Sequence, residues 1–253
     1  MNEYNLNFIS DIDLFNHVKE TIEKYRFKID LKEFNKNLVD PIKLTFDSKI
    51  YGKTIEEIIE AESIRQLDKS ASNHIGYFQQ NIFKYIHHKD TQQTNWNVPK
   101  QGFDIVNDTE KIYVEMKNKH NTMNSSSSQK TYMRMSSKIN NIPDATCMLV
   151  EVIAKNSQNL PWQISLDGES ISHEKIRRVS IDKFYEIVTG EKEAFKKLVE
   201  VLPIVMDDVL EEIQQNGIEN TVFEELAGID ANILKSLYLL SFQRYEGFDS
   251  LSI

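Results

Sequence analysis

Asp104, Glu115 and Lys117 have the types and the spacing to act together on a phosphodiester. Glu115 and Lys117 lie two apart in Lys111 to Lys117 (KIYVEMK), whose alternation predicts a strand, so both side chains leave the same face. Asn107 to Glu110 (NDTE) has turn composition and follows a short apolar run, Gly102 to Val106. A hairpin with its loop at Asp108 to Lys111 sets Asp104 directly opposite Glu115. Two carboxylates at that cross-strand distance, about 4.5–5.5 Å between Cβ atoms, repel unless something offsets their charge. A divalent cation does so. Mg²⁺ takes hard oxygen ligands and keeps several waters, so one or two carboxylates suffice where a phosphate also binds. An ammonium beside the ion orients or deprotonates the attacking water and steadies the charge on a developing phosphorane. The chemistry open to this set is metal-dependent phosphodiester hydrolysis. Chance also produces such a spacing, and alone it fits an ion pair on a solvated strand edge.

The elements that must position these residues follow from periodicity. Leu14, Phe15, Val18, Ile22 and Tyr25 recur at helical spacing, and Thr54 with Glu57 forms a capping box ahead of Ile55, Ile58 and Ile59. A further amphipathic segment carries Ile75, Phe78, Ile82, Phe83 and Ile86. After the hairpin come a polar loop, Asn118 to Ser128, and a helix over Gln129 to Ile139, with the four serines 125 to 128 suited to its start. Ala145 to Ala154 predicts a buried strand, and Trp162 to Leu166 another. Asp182 to Val188 predicts a short helix closed by Thr189-Gly190. The C-terminal part is helical, with Pro203 expected to kink or interrupt an apolar face running from Phe195 to Leu210. Met133 and Met135 are expected in packing and Cys147 in the core; Trp96 and Trp162 suit either core or base stacking.

Composition excludes several classes. The 253 residues, 40% hydrophobic and 27% charged, can bury a full core and are neither disordered nor low in complexity. No apolar run approaches the roughly 18 residues of a membrane span, no secretory signal is visible, and one cysteine excludes an internal disulfide framework or thiolate zinc cage. The expectation is a cytoplasmic protein. Net charge is −9, yet eight acids and no Lys or Arg lie between Asp207 and Asp230. Between Lys100 and Asn140 seven bases face four acids. Screening confines fields to about 8–10 Å, so this local excess, not the total, governs attraction to a polyanion.

The order helix, strand with Gly102-Phe103-Asp104, turn, Val114-Glu115-Met116-Lys117, helix, strand resembles the PD-(D/E)XK nuclease superfamily. Val98 to Asp104 (VPKQGFD), Glu115 to Ser128 (EMKNKHNTMNSSSS) and Ser180 to Gly190 (SIDKFYEIVTG) are similar to type II restriction endonucleases of the branch that cuts GGNCC-like sites. Phe103, not proline, precedes Asp104, a small departure from the superfamily pattern. The resemblance implies an α/β restriction-endonuclease-like core, a mixed central sheet flanked by helices, with extra N- and C-terminal helices. It implies one domain over 1–253: an N-terminal helical part (1–69), a catalytic core (70–190) and a C-terminal helical part (191–253). Asp104 and Glu115 would ligate Mg²⁺ with the Met116 carbonyl, Lys117 would serve the water, and the ends would be 5′-phosphate and 3′-hydroxyl. Members often add an acid from the first core helix, for which Glu62 is the choice by position; it also reads as an ordinary surface acid. No nucleotide cofactor and no membrane enter.

Asn118, Lys119, His120, Asn121, Asn124 and Gln129 crowd the loop after Lys117 with groups suited to base edges. Ser125 and backbone donors at the helix start, then Lys130 and Arg134, suit phosphates. A two-fold target implies a homodimer on double-stranded DNA, for which the apolar C-terminal helices could supply the surface. Two other functions stay open: a PD-(D/E)XK nuclease of repair or mobile elements, and a non-catalytic protein-interaction module in which the trio is only an ion pair.

Overall fold

The computed structural model describes residues 2–37, 39–166, 168–214 and 217–252. The chain runs through α1 (Asp11–Ile22), β1 (Lys28–Ile29), α2 (Leu31–Asn35), α3 (Pro41–Tyr51) and α4 (Ile55–Asn81). Then come β2 (Ile105–Asn107), β3 (Ile112–Lys119), α5 (Ser125–Asn141), β4 (Thr146–Ile153), β5 (Asn159–Leu166) and β6 (Glu169–Ser180). It continues as α6 (Ile181–Thr189), α7 (Ala194–Ile213), β7 (Glu219–Asn220), α8 (Val222–Ala227) and α9 (Ile233–Phe242). Two compact units divide it: one takes the chain up to Thr21 and again from Ile75 to Gln214, the other Ile22–His74 and the chain after Gln214.

The first unit is built on a mixed sheet of strand order β2-β3-β4-β6-β5 among the described residues. β3, β4 and β6 run parallel, while β2 and β5 close the edges antiparallel. Tyr132, Met135 and Ile139 on α5 recur at helical spacing and cover one face, packing on Tyr113, Cys147, Leu149, Trp162, Ile164 and Ile176. α6 packs against β4 and β6 and buries Phe184, Tyr185 and Val188. β3 and β4 are therefore nearly continuous buried runs, as strands covered on both faces must be. In the second unit Ile29, Phe34, Leu44, Ile58, Ile59, Val222, Leu226 and Leu237 form a core of their own. The capping box is present: Thr54 Oγ1 accepts from the Glu57 N–H at 3.2 Å, and Glu57 accepts from the Thr54 N–H at 2.8 Å.

Several expectations shift. β2 begins at Ile105, not Gly102, because Gly102 bends with φ at 97°. β3 extends through Asn118 and Lys119, which are strand residues, since β4 supplies a pairing partner as far as Ile153. α5 starts at Ser125, where Asn124 caps it, four residues ahead of the apolar periodicity. β6 went unread because its first half, Glu169 to Lys175, is mostly exposed and polar; pairing with β5 organises it. α7 runs through Pro203 uninterrupted. Burial of Leu198 before the proline and of Val205 and Val209 after it outweighs the cost of about 3 kcal/mol. Trp96 and Trp162 both belong to the core, and Met133 is exposed where Met135 is buried.

Candidate active site

Asp104 and Glu115 meet because of strand register. β2 and β3 pair Ile105 with Val114 and Asn107 with Ile112, so the line of pairing sets Asp104 across from Glu115. The Asp104 N–H donates to the Val114 carbonyl at 2.9 Å. Its Oδ2 accepts from the Met116 N–H at 2.8 Å. A residue's N–H and C=O leave a strand on one side, so the Met116 carbonyl faces the same edge. Glu115 is only 8% exposed. Its Oε1 accepts from Lys117 Nζ at 2.7 Å, and its Oε2 accepts from Arg134 Nη2. Arg134, from the middle of α5, also donates Nη1 to the Gly102 carbonyl at 3.3 Å and lies 5.0 Å over the Phe103 ring.

Burial, followed by the charge of Glu115, pushes the Asp104 carboxyl above its usual range; the Met116 N–H, Lys117 and Arg134 pull less strongly the other way. Two carboxylates and a carbonyl are hard oxygen donors. Among the described residues no three His, Cys, Asp or Glu side chains gather about one point. The set fits a cation that completes its shell with water and phosphate oxygens, and not one that needs an all-protein cage.

Glu62, the extra acid expected from the sequence, has partners of its own. It belongs to the second unit, where its oxygens accept from Arg65 Nε and Nη2, both at 2.6 Å, and from Gln66 Nε2 at 3.1 Å. Burial opposes ionisation there, but the hydrogen bonds from Arg65 and Gln66 hold the carboxyl below its usual range.

The polar segment after Lys117 is more ordered than its composition suggests. Asn118 and Lys119 end β3, and the His120 N–H donates to the Ile153 carbonyl at 3.0 Å. Asn124 Oδ1 accepts from the Ser127 N–H at 2.8 Å and from Ser127 Oγ at 2.9 Å, so half of that amide is a helix cap. Gln129 Nε2 donates to the Ser165 carbonyl at 2.8 Å and ties α5 to β5. Lys119, Asn121, Ser125 and Lys130 are exposed. Beneath the segment lies a cleft of about 380 Å³ lined by His120, Ser125, Ser128, Gln129, Trp162 and Arg178 among others.

Sequence reasoning missed one pair. Glu151 stands in register beside Lys117 and is 1% exposed. Arg178 Nε lies 3.0 Å from both its oxygens, and Nη2 lies 2.6 Å from Oε1. The same Nη2 donates to the His120 carbonyl at 3.3 Å. The signal was present: one charge in an otherwise apolar strand must be paired if buried.

The relatives of the chain are type II restriction enzymes. It is 34% identical over 221 residues to the type II restriction enzyme Sau96I of Staphylococcus aureus, across 83% of this chain and 82% of that enzyme. It is 30% identical over 220 residues to the type II restriction enzyme Eco47II of Escherichia coli, across 82% and 89%. Residues 6–211 match the Eco47II restriction endonuclease family, and the chain belongs to it. It is a site-specific deoxyribonuclease acting on double-stranded DNA, which overturns the reading as a non-catalytic interaction module.

Proposed function

We propose that the protein is a PD-(D/E)XK endonuclease that uses Mg²⁺ to cut both strands of a short GGNCC- or GGWCC-like palindrome, leaving 5′-phosphate and 3′-hydroxyl ends. The carrying observation is the edge where Asp104 faces Glu115, Lys117 reaches Glu115 and the Met116 carbonyl points alongside. Asp104, Glu115 and the Met116 carbonyl would hold the ion, which supplies Lewis acidity toward phosphate and a water of lowered pKa. Lys117 Nζ, held by Glu115, is positioned to orient that water and to balance charge building on the phosphate. Asp104 is kept in place by the Met116 N–H and needs no reorganisation.

Base reading falls to the exposed edge of the segment after β3. Asn118, Lys119, His120 and Asn121 sit at or just beyond the end of the catalytic strand, with the free amide nitrogen of Asn124 nearby in sequence. Ser125, Lys130 and Arg134 would take phosphates, while Gln129 contributes through its anchoring of α5. A two-fold target calls for a homodimer. Exposed apolar residues of α7, namely Val199, Met206 and Leu210, offer surface for it. No described helix is long and apolar enough to cross a membrane, in keeping with a cytoplasmic enzyme.

The test is unmethylated plasmid DNA incubated with the protein in Mg²⁺ or in EDTA, then sequencing of the ends. Discrete Mg²⁺-dependent fragments sharing one GGNCC-like site are expected. Ends scattered without a common palindrome would replace this reading with a nuclease of repair or mobile elements.

A further inference from the structure

Both oxygens of Glu115 are held by cations, and the two cations differ. Lys117 lies two residues along the same strand, so its hold on Glu115 is local. Arg134 reaches across from α5 and has two further attachments, the Gly102 carbonyl and the Phe103 ring. Those attachments use Nη1 and the guanidinium plane. Were Nη2 to release Glu115, the guanidinium would stay at the mouth of the site with one donor edge open.

Charge balance says when release should occur. Asp104, Glu115, Lys117 and Arg134 together are neutral. A divalent ion that takes Glu115 meets a guanidinium already on Oε2, and in a partly buried site the two repel and compete. A phosphodiester brings a negative charge, and the planar fork of arginine suits its oxygens. Resting on the metal-dependent reading above, we propose that Arg134 is an exchangeable counter-ion. It holds Glu115 Oε2 in the absence of an ion, and passes Nη2 to a non-bridging oxygen of the reacting phosphate once an ion occupies the carboxylate. In this role Arg134 is a catalytic residue. Reciprocity follows: DNA that draws Arg134 away raises affinity for the ion, and the ion raises affinity for DNA.

Arg134→Met keeps the aliphatic stem over Phe103 and removes the charge; at 42% side-chain exposure its loss opens no core cavity. Calorimetric titration with Mn²⁺ alone, without DNA, is expected to show roughly tenfold tighter binding by Arg134→Met than by the wild type, the competitor being gone. Arg134→Lys, which retains charge, should stay near the wild type. Cleavage by Arg134→Met at saturating Mg²⁺ should fall by about 100-fold or more, since a phosphate donor is lost. Unchanged or weaker Mn²⁺ binding by Arg134→Met overturns the competition, and undiminished cleavage overturns the transfer to phosphate. Glu115→Gln separates the two levels. If it binds Mn²⁺ as the wild type does, the ion does not use Glu115, and the metal-site reading itself fails along with the exchange.

Discussion

Replacing Arg178 by Met tests whether the loop that follows β3 is held by a buried ion pair. The Glu151 side chain is 2% exposed and receives the Arg178 guanidinium through Nε and Nη2. Removing one partner strands a charge in the sheet, which costs about 3–5 kcal/mol. In a chain of this size each kcal/mol lowers Tm by about 2–4 °C, so thermal unfolding by circular dichroism should shift down by roughly 6–20 °C. Glu151→Leu combined with Arg178→Met leaves no unpaired charge, and exchanging a buried pair for apolar groups is often neutral, so the double variant should recover to within about 1–2 kcal/mol of wild type. Function should not recover with it. The His120 carbonyl loses its donor in both variants, and one hydrogen bond of about 1 kcal/mol corresponds to roughly fivefold weaker DNA binding or slower cleavage. Two results would refute this reasoning. A single variant melting within a degree or two of wild type would deny the buried pair its structural role. A double variant with full cleavage would deny that Arg178 positions the loop.

Further outcomes follow from the same geometry. Asp104→Asn should abolish cleavage yet raise stability at pH 7, because the folded carboxyl is pushed above 3.8 and its ionisation costs the native state at neutral pH. That gain should fade in urea titrations as pH falls through the raised value toward 3.8, where the native wild-type carboxyl is protonated. Lys117→Ala should lose cleavage by about 100-fold or more while gel-shift affinity for DNA changes little, the lysine acting at the water and not on the groove. Asn124→Ala removes the acceptor for two Ser127 donors and should cost about 1 kcal/mol of stability, seen as a modest loss of Tm.

The sheet centre and the trio were legible because their signals are local. A turn of composition NDTE fixes where the hairpin folds, and antiparallel register then places Asp104 against Glu115 without further knowledge. The helix after the loop was legible through Tyr132, Met135 and Ile139, though its start was not, since the first turn is serine and its cap is a side-chain bond. The bonds of Asn124 and Gln129 were hidden for a related reason: composition marks a polar side chain as a hydrogen-bonding group but does not locate the atom it serves. Glu151 and Arg178 lie 27 residues apart, and only the parallel order of β3, β4 and β6 brings Lys117, Glu151 and Ser180 into one row. β6 itself has too few apolar residues to announce a strand before β5 is beside it.

The discontinuity of the second unit bears on how the chain is made. β1 pairs with β7, and the bond between Lys28 and Glu219 closes a separation of 191 residues. The strands of the five-stranded sheet end at Ser180 and α6, which packs on β4 and β6, ends at Thr189, so the sheet can close while the ribosome is still adding α7. The segment from Ile22 to His74 must wait, with Ile29, Phe34 and Leu44 uncovered, until Val222, Leu226 and Leu237 emerge. At about 5–20 residues per second that wait lasts on the order of ten seconds or more. The nuclease-bearing half of the molecule therefore gains its shape first. The late-closing half is where a chaperone has something to hold, and where slow translation or a truncated message does its damage.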